Sequence, residues 1–540
     1  MDRRAFVTSA LGVLAGSAAG GLFPVKKARA ADVGTTSWYK EADVVVVGMG
    51  FAGLASALTA HDQGAQVLCI DKSPIPGGNS ITCGGMVFMP TDKQSGIDYF
   101  SGMIGGTGNH DEAVDFVHSS MNDVPLDMID VWAEYMVGNR AWIESQGLVP
   151  FDFKPPGDGR SWLAGMVPEF PQMQGSEDMT FTMTSPYLMG LQMHRRLMNN
   201  LMDKGVEIIT ECPGKELIQN GNKEVLGIIA ERSIRGQKTE IAIKARKAVI
   251  LCTGGFEFNE ALKKSYLGMW PFGAVGGDAN EGDGIKMGLA AGADLWHTAA
   301  TAGIGLGVTP PGQKCAVFSI PLSGRHILVD RFGRRFMNEF QEGFAHNPWL
   351  NLRPYNSDKL AFERIPAYWI LDEAAIKKGP LGLPLGYGAA KYSWSPNNRK
   401  EIQVGWIKVG NTLPELASKM EFLFTKDNLE ATVNRYNQMC SSGYDADYGR
   451  RKVSMFPIQY PPYYAMPVYP TMLNTQGGPK RNKNAEVVDP WGRPIPRLYS
   501  SGELGSIYGW IYQGGGNVGE CLAFGRRAGE QAAALNPWDV

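Results

Sequence analysis

The sequence predicts an α/β fold organised around a Rossmann-like dinucleotide-binding sheet, and three observations predict it. Val44, Val45, Val46 and Val47 form a β-branched run that reads as a strand buried on both faces. The run leads into Gly48-Met49-Gly50-Phe51-Ala52-Gly53, a G-x-G-x-x-G turn. A helix-like stretch over 54–63 and an apolar strand over 65–70 follow, closed by Asp71. In such a unit Gly48 allows the tight turn, Gly50 lets backbone approach a pyrophosphate, and Gly53 lets the helix pack on the strand. The helix N-terminus, with Ala52 in its first turn, points amides at the phosphates. Asp71 is placed to accept ribose hydroxyls. A lone glycine pattern is often an ordinary turn; strand, glycines, helix, strand and acid in this order outweigh that reading.

A chain of 540 residues exceeds one ordinary core, so two domains are expected. Hydrophobic content of 44% and charged content of 20% are those of a folded globular protein. A formal charge of −2 argues against nucleic acid as a partner. The seven cysteines form no CxxC pair, so zinc, haem c and ferredoxin-type clusters lack their local signatures, and no metal site is expected.

The first 30 residues read as a twin-arginine signal peptide. Arg3-Arg4 is followed by a short, weakly apolar run over 10–23 and by Ala28-Arg29-Ala30. The run is too short to span a membrane. The expected location is periplasmic, or outside the membrane after export.

Further along, Lys72 precedes a loop with two glycine pairs, Gly77-Gly78-Asn79-Ser80 and Gly84-Gly85, where backbone can lie close to a flat or anionic ligand. Residues 111–147 carry helical spacing, with Ile129, Trp132, Met136 and Ile143 among the apolar positions. Residues 150–185 are irregular and rich in Pro, Gly and aromatics, a candidate cavity border. A helix over 189–202, a strand over 206–209 and a hairpin over 225–232 and 240–243 lead to a second buried strand over 248–252. That strand ends in Thr253-Gly254-Gly255-Phe256. Asp283, in Gly282-Asp283-Gly284, opens a helix and could be only its cap. Residues 300–460 change texture and read as an inserted domain, with strands over 327–330 and 331–339, another over 367–371, and helices over 413–420 and 429–439. The tail returns to glycine motifs: Asn474-Thr475-Gln476-Gly477-Gly478, Ser501-Gly502-Glu503 and Tyr512-Gln513-Gly514-Gly515-Gly516-Asn517-Val518, before a closing helix over 522–535. The last glycines offer free amides for a ligand oxygen.

Taken together, these motifs and Gly333-Arg334-Arg335-Phe336-Met337-Asn338-Glu339 resemble the FAD-dependent oxidoreductases of the fumarate reductase and 3-ketosteroid Δ1-dehydrogenase superfamily. The resemblance covers about residues 40–538. It implies an FAD-binding domain split in sequence (38–300 and 461–540) with an inserted α+β capping domain (301–460). It also implies that Glu503 meets the flavin's ribityl chain and that Asn517 and Val518 contact the cofactor. Some members attach FAD through a histidine near the glycine-pair loop; Asn79-Ser80-Ile81 stands there, so FAD is expected to bind non-covalently. Without a CxxCH, a separate cytochrome or quinone-linked carrier is the expected redox partner.

The departures bear on the substrate. Where fumarate reductases carry His-Thr-x-Gly-Gly and Asn-Arg-x-Gly-Gly-Asn, this chain has Asn474 and Gln513, and no arginine closely follows Asn338-Glu339. A dicarboxylate would lose its cations. Ketosteroid dehydrogenases carry Tyr-x-Gly-x-Gly, which Tyr512 and Gly516 match; in that family the tyrosine hydroxyl and glycine amide bind the ketone oxygen. The family's proton-abstracting tyrosine has no counterpart after Asn338-Glu339. The first expectation is therefore hydride transfer between flavin and a C–C bond conjugated to a carbonyl. Trp162, Phe170, Trp369 and Trp406 are offered as walls for a larger substrate. The alternative is a respiratory reductase of an unsaturated monocarboxylate, with Arg325, Arg353 or Arg364 as the carboxylate's partner. A substrate-free electron carrier is the third reading.

Overall fold

The computed structural model describes residues 29–30, 36–105, 124–153, 168–185, 190–234, 236–303, 305–319, 321, 324–340, 351–382, 388–420 and 428–539. The segment expected as a signal peptide lies outside them except for Arg29–Ala30, which pairs with Ile218 and Gln219 at the sheet edge.

The first sheet is built on β1 (Trp38–Val47), β2 (Val67–Ile70), β3 (Glu207–Ile209), β4 (Gly214–Gln219), β5 (Val225–Ile234), β6 (Gln237–Leu251) and β7 (Pro494–Ser500). Five run parallel in the order β7-β6-β1-β2-β3. Val44, Val45 and Val46 are fully enclosed, as a strand covered on both faces requires. The expected hairpin strand and the second buried strand are one element. β6 pairs antiparallel with β5 through its first half and parallel with β7 through its last turn. A register shift between Ala245 and Ala248 lets it stay against β1 throughout.

Two helices pack over this sheet through small residues. A Cβ at Gly525 of α3 (Gly516–Ala534) would lie 2.8 Å from the carbonyl oxygen of Ala52 on α1 (Phe51–Asp62). Glycine there lets the two backbones touch. α3 begins at Gly516, earlier than the expected 522, because the glycine run is itself the helix entrance. The helix Leu126–Val137 buries Ile129, Trp132 and Met136 as its spacing requires; the expectations over 106–123 fall outside the described residues.

Among the described residues the second sheet has seven strands and draws Gly273–Ala274 and Tyr463–Met472 together with strands from Gly305–Val308 to Lys408–Gly410. Helices Leu413–Ser418 and Asn428–Ser442 bury Leu416, Val433 and Tyr436 against it. The second strand expected over 331–339 is reduced to one bridge, Val329 with Arg335. The cause is charge. Arg335 turns inward to Glu339 (Nε to Oε1, 3.0 Å) and Asp445 (2.9 Å), and Arg450 joins Glu339 at 3.2 Å. Two buried cations and two buried anions need each other's company more than a ladder hydrogen bond. Among the described residues no helix is long and apolar enough to cross a membrane.

Candidate active site

The carboxyl ends of β1, β2, β6 and β7 converge, and ligands bind at such ends in open α/β sheets. Gly48 sits at φ +96°, a region disfavoured for side chains, and its amide donates to Ile70 O at 2.8 Å. Gly50 precedes α1, and a Cβ on Gly53 would run into the Gly48 carbonyl. Asp71 accepts from the amides of Met49 and Ser73, both at 2.8 Å, so it also clamps the glycine turn. Burial pushes its carboxyl up against the pull of those two amides. His194 on α2 (Gly190–Asp203) supports the same turn, 2.8 Å from Met49 O. Burial lowers its pKa, which keeps the ring neutral and lets Nε2–H donate.

A cavity of about 800 Å³ opens here. Gly48, Gly50, Ala52, Asp71, Lys72, Gly77, Gly78, Asn79, Ser80, Thr253, Gly254, Asp283 and Glu503 all line it. Lys72 is paired to Asp283 at 2.7 Å across the opening. Ser80 Oγ accepts the Phe51 amide at 2.9 Å and so caps the entrance of α1. Gly53 and Gly255 are not at the wall. Gly255 makes room for Thr475 and for the carboxyl of Glu257.

A second cavity of about 680 Å³ continues from the first, sharing Phe51, Asn79, Ser80, Glu503 and Cys521. Gly84, Gly85, Tyr512, Gly515, Asn517 and Val518 line it, with Met86, Val275 and Leu473 as apolar wall. Among the described residues that line it there is no Lys, Arg or His. Tyr512 is buried; its hydroxyl accepts the Asn517 amide at 3.3 Å, and its ring stands edge-on to Tyr508. Gly516 is placed differently from the expectation. It is outside the wall, its amide donates to Gln513 O at 2.9 Å, and a side chain there would run into Tyr508. The glycine facing the cavity is Gly515, because α3 starts its hydrogen bonding at Gly516.

Gln513 points away from the cavity. Its Oε1 accepts from the Tyr99 hydroxyl and, at 3.1 Å, from the Glu169 amide, while Glu169 Oε1 accepts the Gly514 amide at 2.8 Å. Glu169 thus serves the Gln513-Gly514 turn, and no described residue of the 150–185 stretch lines either cavity. The aromatic walls offered from sequence are elsewhere. Trp369 is in the second sheet, Trp406 packs on Tyr392 and Trp394, Phe170 packs on the first core, and Trp162 is outside the described residues. The three arginines are also elsewhere: Arg325 lies over Phe456, Arg353 over Trp510 and Arg364 over Phe336.

Sequence reasoning missed Glu257, fully enclosed beside the cavity. Its position directly after Gly254-Gly255-Phe256 was the available signal. Asn79 Nδ2 donates to Glu257 and to Glu503, each at 2.9 Å. Burial, then the charge of Glu257, pushes Glu503 from 4.5 up to about 8. A carboxyl raised in this way stabilises the FAD-free fold fully below about 4.5, and that contribution is lost as pH rises through about 8. Thermal unfolding of the apoprotein should therefore move to lower temperature across this window, and less steeply in Glu503→Gln. Equal slopes in the two proteins would contradict this placement of Glu503.

The profile of the FAD binding domain family matches residues 43–518. The chain belongs to that family. The flavoprotein is 28% identical over 501 residues to a fumarate reductase (cytochrome) of Shewanella frigidimarina, covering 91% of this chain and 77% of the relative. It is 27% identical over 570 residues to a 3-oxosteroid 1-dehydrogenase of Mycobacterium tuberculosis, covering 90% and 97%. In fold it matches the 3-ketosteroid Δ1-dehydrogenase of Sterolibacterium denitrificans with a TM-score of 0.75 at 22% identity, over 92% of this chain and 100% of that one. This flavoprotein is an FAD-dependent oxidoreductase of the CH–CH class. The residues fit FAD. Thr253 Oγ1 and Ser501 Oγ in the first cavity and Asn517 Nδ2 in the second are buried without a partner among the described residues. Such atoms call for a ligand.

Proposed function

We propose that this flavoprotein moves a hydride to or from a C–C bond conjugated to the carbonyl of a neutral substrate, a ketosteroid or enone. The observation that carries the reading is the second cavity, where Met86, Val275 and Leu473 stand beside the Tyr512 hydroxyl and neutral amides, and where none of the described lining residues is Lys, Arg or His. Bound FAD supplies the two-electron chemistry. Tyr512 donates its hydroxyl to the carbonyl oxygen, where charge grows as the bond order shifts. Gly85, Met86 and Leu473 exclude water, and the entrance of α3 keeps the oxygen side of the site electropositive. The near-complete coverage of the 3-oxosteroid dehydrogenase's length supports the same reading.

Binding tests it. Titration of the oxidised holoprotein with a neutral dienone should perturb the flavin band, while fumarate at matched concentration leaves it unchanged. The opposite selectivity would overturn the reading and favour an unsaturated acid. In addition, Arg325→Gln, Arg353→Gln and Arg364→Gln should each leave the enone KM within about threefold of wild type, because none of these arginines meets the cavity.

We also infer non-covalent FAD, released by acid denaturation, export by the twin-arginine route, and a separate electron carrier. The signal-like N-terminus and the missing CxxCH support these last two.

A further inference from the structure

Glu257 and Glu503 belong to different strand ends, yet their carboxyls meet at the two hydrogens of one amide, Asn79 Nδ2. Glu257 also accepts from Asn280 Nδ2 at 2.7 Å and from the Thr475 hydroxyl at 3.3 Å. Among the described residues every hydrogen bond to the pair comes from a neutral donor. Two ionised carboxylates in a dry volume repel and lack compensation. The other groups facing Glu503 offer no positive charge: Glu520 is paired to buried Arg481, and burial pushes the thiols of Cys83 and Cys521 up, so both stay protonated. Glu503 lines both cavities, whereas Glu257 lines neither.

We propose that Glu257 and Glu503, joined through Asn79, form a proton reservoir for the adjoining cavity, binding a proton when negative charge arrives there and releasing it when that charge leaves. The balance is simple. Reduction of FAD held there by two electrons and one proton would add one negative charge to the cavities that Glu503 lines. The pair then takes one proton from solvent, and no further oxidant or reductant is involved. Glu257 is a positioning residue in this scheme: it touches neither cavity, but its charge sets how firmly Glu503 holds the proton. The inference rests on FAD binding and is independent of the substrate.

The test is the midpoint potential of the holoprotein's flavin against pH, by spectroelectrochemistry, for wild type, Glu257→Gln and Glu503→Gln. Above about pH 8 the wild-type line should be steeper than both variants by one proton per two electrons, about 30 mV per pH unit. Parallel lines for wild type and Glu257→Gln would overturn the proposal. Where a variant fails to retain FAD, the wild type alone suffices. Electrochemical reduction in weak buffer above about pH 8 should take up two protons per flavin, and uptake of only one would equally overturn it.

Discussion

Tyr512→Phe lowers turnover of a neutral enone by about 10²–10³, the usual loss for one oxyanion donor. The expectation follows from the contacts of this side chain. The ring is held edge-on by Tyr508 at 5.3 Å, and Phe preserves that packing. The hydroxyl goes, and with it the hydrogen bond from the Asn517 amide. Flavin content and unfolding temperature should therefore stay close to wild type while kcat falls. Such a split separates a donor to the reacting oxygen from a core tyrosine. A variant that keeps turnover within about threefold would remove Tyr512 from the chemistry.

Gly48→Val abolishes FAD binding. Two penalties meet at this position. The backbone at φ +96° is strained for any side chain, and a β-branched one fares worst. A Cβ would also run into the carbonyl of Cys252, the residue that follows β6. The turn cannot retreat, because Met49 on its far side is held by Asp71 and His194. Purified variant should lack the yellow absorption of the holoprotein and should not regain it with excess FAD. A variant that takes up FAD normally would contradict the assignment of this turn as the pyrophosphate cradle.

The cofactor half of the molecule was legible because its chemistry is local. A buried strand, a glycine turn, a helix and an acid occur in one short stretch, and Gly48, Gly50 and Asp71 line the first cavity together. Glu503 was legible only through the family resemblance. The rest depends on contacts between distant parts of the chain. Nothing near Gln513 in sequence says that it turns toward Tyr99 and Glu169, far away along the chain, and away from the cavity. Gly516 matched a motif, but the start of α3 shifts the exposed glycine to Gly515. The Arg335–Glu339 stretch reads as strand by composition, yet the need to neutralise buried charge turns it into an ion network with Asp445 and Arg450. Aromatic residues such as Trp369 looked like substrate walls and are core, the commoner fate of a large apolar ring.

The central claim is a cavity that accepts a neutral carbonyl compound. Its most direct test is anaerobic. The holoprotein's flavin is reduced chemically and mixed in turn with a neutral enone, an aryl acrylate and fumarate, while the return of the oxidised band is followed. The account predicts rapid return with the enone, strongly slowed in Tyr512→Phe, and little return with fumarate. Rapid return with the acrylate or fumarate and none with the enone would contradict it.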